Sequence, residues 1–302
     1  MTDCGAASES CCVSLEVPGG TYYRTYVNQG SGPTGELDPA TVSGFRLDKY
    51  LVTVGRFRQF VNAWSNGAGY LPAAGSGVHV HLNGGRGLVN AVADAGVTYE
   101  TGWLTSDNAN VAPSDLNLAC GITPAWATWT DSPGSYENVP INCISWQDAY
   151  AFCIWDGGFL PSESEWEYAA AGGNQQREYP WGSADPGTAN AYAIYGCYYR
   201  GSGTCSGATN IAPVGTSTLG AGLWGQLDLA GTLQEWTLDW GEGAYVSPCS
   251  DCASLTSASG ERSFRGGDFE AVYTFDIVPT LRDYSPPWEL SSAAGFRCAR
   301  TP

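Results

Sequence analysis

The sequence predicts an irregular, loop-rich α+β domain stabilised by disulfides, with few helices and short strands. Composition is the first reason. The 302 residues include 40 glycines, 12 tryptophans and 17 tyrosines but only 14% charged residues, a balance that suits loops pinned by buried aromatic rings better than a helical bundle. The 11 cysteines are the second. Their spacings lack the paired Cys-x-x-Cys units of a structural zinc site, so disulfides in an oxidising compartment are expected. The third is that just three segments combine helical periodicity with a start signal.

Taken in order, residues 1–14 hold Cys4, Cys11 and Cys12 among small polar residues and read as an N-terminal arm that adds little core. From Leu15 to residue 302 there is no linker, low-complexity stretch or fixed-period repeat, which makes 15–302 one domain. Phe45 to Tyr50 reads as a short strand. Thr53 then caps a helix bearing Phe57, Phe60, Val61 and Trp64 on one face. Ser145 with Asp148 opens a second helix, with Trp146, Ala149, Tyr150, Cys153 and Ile154 as its apolar stripe. Ser162 with Glu165 opens a third, carrying Trp166, Ala169 and Ala170, and Gly172-Gly173 ends it. Turns and short strands follow.

The formal net charge is −17, and Lys49 is the sole lysine. Such a surface repels phosphate backbones and anionic headgroups, so nucleic acid is not an expected partner. Scattered acidity serves solvation first and divalent-cation recruitment second. No apolar run is long enough to span a bilayer, and Met1-Thr2-Asp3 does not begin a signal peptide. With so many cysteines, the expectation is an extracytoplasmic, monomeric protein whose leader has been removed.

Three ordered blocks carry a family resemblance. The first is Asp48-Lys49-Tyr50-Leu51-Val52-Thr53 with Phe57 and Phe60-Val61. The second runs from Pro140 to Gly182 through Ser145-Trp146, Cys153, Leu160-Pro161, Glu165-Trp166-Glu167-Tyr168 and Pro180-Trp181-Gly182. The third runs from Ala212-Pro213-Val214-Gly215 through Gly222-Leu223-Trp224, Asp228-Leu229-Ala230-Gly231 and Glu235-Trp236-Thr237 to Arg265-Gly266-Gly267 and Gly295-Phe296-Arg297-Cys298. Together they resemble the formylglycine-generating-enzyme (sulfatase-modifying-factor) family. The resemblance implies an elaborated C-type-lectin-like fold of few helices and small mixed sheets under long loops. It also implies a disulfide between Cys153 and Cys298.

Other pairings rest on proximity in sequence. Cys197 and Cys205 flank a glycine-rich segment, Cys249 and Cys252 enclose a tight loop, and Cys120 is assigned to Cys143. The 249–252 pair has a redox-active alternative, although its Pro- and Ser-rich setting is unlike a helix-opening redox motif. Adjacent Cys11 and Cys12 do not suit a bond to each other, so Cys4 pairs with one and leaves the other free.

Family oxidases bind copper through two cysteines shortly after Arg-Gly-Gly, since Cu(I) prefers soft thiolates. This chain has no cysteine from Asp268 to Arg297, and Ala271 and a position near Asp276 or Val278 stand there instead. Neither copper nor the oxidase reaction is expected. Phe159 and Val278 also replace usual arginines. Tyr273, Phe275, Tyr284, Trp288 and Glu289 then supply an aromatic and acidic groove for a small molecule, peptide or protein ligand. Structural calcium is implied at Asn190 and at Thr232 with Glu235, where Thr232 replaces a usual asparagine.

His79 and His81, on one face of an extended segment with Asn83, read as hydrogen-bonding spacers or, with a third ligand, a metal site. Glu163, Glu165 and Glu167 read as an acidic helix start favoured by the helix dipole. The leading functional expectation is a secreted, calcium-containing binding protein on this scaffold. The alternatives are an enzyme of the same family with other, oxidoreductase-type chemistry, and a scaffold with no small-molecule site.

Overall fold

The computed structural model describes residues 3–92, 96–121, 123–241, 243–256 and 259–302. Helix α1 (Val54–Trp64) starts where the Thr53 hydroxyl accepts the Arg56 N–H. A single turn, α2 (Asp115–Leu118), capped by Ser114, is too short for its periodicity to show in sequence. Helices α3 (Trp146–Trp155) and α4 (Glu163–Ala171) each begin with a reciprocal capping box, Ser145 with Asp148 and Ser162 with Glu165. Gly172 ends α4 at φ 67°, a left-handed position suited to glycine.

The sheets are small and mixed. Phe45–Asp48 lies between Ser14–Val17 and Ala299–Arg300, antiparallel to both, so the two ends of the chain share one sheet. A second sheet orders Arg282–Ser285, Arg262–Arg265, Gln234–Trp240 and Ala294–Gly295, the last pair parallel. A third places Pro33–Val42 between Gly20–Asn28 and Cys249–Ser250. The remaining pair is Val89–Val92 with Gly96–Tyr99.

The largest core joins α1, α3 and the C-terminal segment. Phe57 stacks on Phe152 at 5.6 Å between centroids, and Phe296 meets both edge-on. Cys153 is bonded to Cys298 within this core. The other disulfides are Cys4–Cys11, Cys120–Cys143, Cys197–Cys205 and Cys249–Cys252, and Cys12 is free and exposed. Among the described residues no helix is long and apolar enough to cross a membrane.

Two expectations about these elements change. The N-terminal arm is not peripheral, because Cys4 and Cys11 are buried in a cluster with Tyr50 and Val214. Their disulfide turns two small side chains into an apolar plug, and Glu9 pairs with Lys49 while accepting from Tyr50. The acids of α4 stand at a helix start as expected, but the helix dipole is not their main partner. Glu163, Glu165 and Glu167 are all buried. Because α4 is covered on every side, each acid meets a cation from another part of the chain.

Candidate functional site

The strand Arg262–Arg265 delivers Arg265 beneath the segment that follows Gly267. Its guanidinium donates to Glu163 at 2.9 Å and Glu167 at 2.6 Å on α4, and to the carbonyls of Pro279 and Leu281 at 2.9 and 3.1 Å. Arg265 thus fastens the 279–281 backbone to α4. Arg282 extends the clamp with donations to both oxygens of Glu163, at 2.6 and 2.8 Å. Burial raises the Glu163 pKa, but the two arginines outweigh it and hold the carboxyl at about 2. Gly267, at φ 65°, could not be replaced without disruption. A Cβ there would lie 2.1 Å from the Asp276 carbonyl oxygen.

Above this clamp a cavity of 520 Å³ is bounded by Gln234, Asp268, Glu270, Ala271, Asp276 and Asp283, with Arg282 at its edge. Asp268 accepts the N–H groups of Glu270 and Ala271 at 2.7 and 3.1 Å, and burial raises its pKa to about 6. Asp276 accepts the Tyr273 N–H, and Asp283 accepts from Gln234 at 3.1 Å. The cavity therefore presents carboxylates on an ordered backbone. Of the positions that the family resemblance sets against copper-binding cysteines, Ala271 and Asp276 line it and the alternative Val278 does not. Each cysteine other than Cys12 is in a disulfide.

Two further hollows continue along the 271–284 segment. One of 600 Å³ shares Arg282 with the first and is walled by Arg24, Asp38, Tyr245 and Tyr284. The other, of 330 Å³, shares Tyr26 and Thr280 with the second and reaches Glu178, Tyr179 and Phe275. Arg24 and Arg282 both stack on the Tyr245 ring, with Cζ 4.3 and 4.0 Å from its centroid.

The structure only partly assembles the groove expected from sequence. Tyr284 and Phe275 line two of the hollows. Tyr273 is exposed and stacked on Phe275 at 4.9 Å without bounding any of the three. Trp288 and Glu289 are exposed and line none of them. Proximity in sequence to the groove segment was their sole qualification. Arg24, Tyr245 and Arg282 were missed because their meeting depends on strand pairing. The acids of the first cavity cluster after Arg265-Gly266-Gly267, and that was the available signal.

The calcium residues divide. Asn190 Oδ1 and Thr232 Oγ1 are buried without a hydrogen-bond partner, so each is a hard oxygen that a cation would suit. Glu235 does not fit a ligand role. Both its oxygens accept from Arg297, at 2.7 and 2.8 Å. Among the described residues no group of three or more His, Cys, Asp or Glu side chains is placed to hold a metal.

His79 takes the hydrogen-bonding role expected of the histidines, and does so inside the core. His79 is fully buried, with Nδ1 2.9 Å from Glu100 and Nε2 3.1 Å from Glu165. Burial opposes its charge, but Glu165 and Glu100 prevail and raise its pKa to about 10. Its ring lies 3.8 Å from that of Phe159, and His81 stacks on the same phenyl at 5.7 Å. Thus a histidine cation serves Glu165 beside Phe159.

Comparison with known proteins agrees with this architecture. The Sulfatase-modifying factor enzyme 1-like domain matches residues 4–302. The formylglycine-generating enzyme of Thermomonospora curvata is 27% identical, over 95% of this chain and 93% of that protein. The mouse protein named inactive C-alpha-formylglycine-generating enzyme 2 is 32% identical, over 94% of this chain and 84% of its own length. The solved structure of PvdO from Pseudomonas aeruginosa superposes with a TM-score of 0.56 at 16% identity, covering 97% of this chain and all of that one, a likeness of fold alone. The chain belongs to the sulfatase-modifying factor enzyme 1-like family, on a loop-rich, disulfide-braced α+β scaffold.

Proposed function

We propose that this chain is an extracytoplasmic binding protein that uses the groove along residues 271–284 to hold an extended, cationic ligand such as a basic peptide, without the sulfatase-modifying oxidase reaction. The observation that carries this reading is the 520 Å³ cavity in which Ala271 and Asp276 stand among Asp268, Glu270 and Asp283. A soft Cu(I) ion has no thiolate there, and carboxylates are hard donors. The same carboxylates favour an ammonium or guanidinium group. The aromatic wall at Phe275 and Tyr179 offers stacking surface farther along. The five disulfides support an oxidising location.

The test has two arms. Loaded with Cu(I), the purified protein is expected to leave the cysteine of a Cys-x-Pro-x-Arg peptide unoxidised, whereas repeated aldehyde formation would overturn the reading. In calorimetry, an Arg- and Lys-containing decapeptide is expected to bind, and Glu270→Gln with Asp276→Asn to weaken it by about tenfold, roughly 1.4 kcal/mol. Equal affinity for an acidic decapeptide would also sink it.

A further inference from the structure

A separate cavity, of 620 Å³, shares no lining residue with the groove. Tyr99, Trp146, Tyr150, Trp240 and Leu255 make its walls, and Arg262 reaches it from the strand Arg262–Arg265. The Arg262 guanidinium is held between two indoles, with Cζ 3.6 Å from the Trp146 centroid and 3.5 Å from that of Trp240. Trp146 is itself fixed by donation from Nε1 to the Thr237 carbonyl at 2.8 Å.

This arginine has fewer partners than the other deeply placed ones; Arg24, also without an ion pair among the described residues, donates to the Asp38 and Val246 carbonyls. Arg56, Arg265, Arg282 and Arg297 each sit against a carboxylate. Among the described residues Arg262 makes one hydrogen bond, from Nη1 to the Leu238 carbonyl at 2.7 Å, and no ion pair. Its Nε is buried and unpartnered. Burial disfavours its charge, and Asp239, Tyr150 and Asp107 offset this only in part. Asp239 is already engaged by the N–H groups of Glu163 and Ser254, both at 2.7 Å. Indole faces orient a guanidinium but leave its in-plane donors free, the geometry that receives a carboxylate. Of the acids on the cavity wall, Glu100 is paired with His79, and Asp107 makes no ion pair among the described residues.

We propose that this cavity binds a small carboxylate, with its charged end on the free edge of Arg262 and its apolar body against Tyr99, Trp240 and Leu255. Asp107 opposes that anion and sets how tightly it is held.

Calorimetry on the full chain tests this with phenylacetate and its uncharged isostere phenylacetamide. Phenylacetate is expected to bind at least tenfold more tightly. Asp107→Asn should tighten it severalfold, and Leu104→Glu, at a half-exposed position on the rim, should weaken it at least tenfold with an unchanged melting temperature. Arg262→Gln should abolish binding, but it also removes a packing element, so the rim variants carry the test if that protein does not fold. Equal affinity for acid and amide, absence of phenylacetate binding at millimolar concentration, or indifference to both rim charges would each overturn the proposal. The groove variants Glu270→Gln and Asp276→Asn should leave phenylacetate affinity unchanged.

Discussion

His79 illustrates how a single side chain acquires a role that its neighbours in sequence do not announce. Its partners Glu100 and Glu165 lie 21 and 86 residues away, so alternation with His81 offers a hydrogen-bonding spacer or a metal ligand but names no partner. Its ring packs against Phe159, 3.8 Å between centroids and tilted by 40°. A histidine whose folded pKa is raised, here from 6.5 to about 10, takes up a proton on folding when the pH lies between its unfolded and folded values. Its contribution is therefore complete below about pH 6.5 and is lost as the pH rises towards 10. His79→Gln should cost about 3–5 kcal/mol near neutral pH, because it leaves two carboxylates buried without their cation. Urea denaturation at pH 6, 8 and 10 should show the wild type losing stability across that range and the variant changing less. A variant that tracks the wild type at all three values would exclude His79 as the titrating group.

At the scale of elements, the helices were the most legible part of the chain. A cap residue and an apolar stripe, joined in α3 and α4 by a reciprocal acid, are local signals, and α1, α3 and α4 begin where they stand. What surrounds α4 was not legible. An acid in the first turn looks the same in sequence whether it faces water or Arg265, and only the pairing of Arg262–Arg265 with Gln234–Trp240 and Arg282–Ser285 decides. The groove has the same origin, which is why Tyr284 and Phe275 belong to it and Trp288 does not. The loops around residues 190 and 232 add a different signal. Thr232 takes φ 67°, a region that asparagine tolerates and a β-branched residue rarely adopts, and its hydroxyl is buried without a partner, as is Asn190 Oδ1. We propose calcium as the partner of these oxygens. Excess chelator should then lower the melting temperature by several degrees, and Asn190→Ala should reduce that difference. Elemental analysis showing no calcium, with a melt indifferent to chelator, would assign these oxygens to water instead.

At the scale of the whole molecule, the fold was readable mainly through ordered motifs spread over the chain, because composition and periodicity alone specify loops and three helices but not their arrangement. That arrangement converges on the C-terminal segment. Ala299 pairs with Leu47 beside the first strand, Phe296 enters the aromatic core against Phe57 and Phe152, and Arg297 spans Glu235 and the carbonyls of Asp48, Lys49 and Leu227. Cys298 sits between these contacts and is bonded to Cys153 on α3, closing a separation of 145 residues. In the unfolded chain such a link removes a large share of the conformations available to the second half, which amounts to about 3–5 kcal/mol of stabilisation. Local loops such as Cys249–Cys252, separated by three residues, restrict far less. The double variant Cys153→Ala/Cys298→Ala should therefore lose several kcal/mol in equilibrium denaturation, well beyond Cys249→Ala/Cys252→Ala. A protease acting under native conditions should first release the C-terminal strand of the former. Equal losses in the two double variants would mean that loop length does not govern the effect and that the contacts of Phe296 and Arg297 hold the C-terminus unaided.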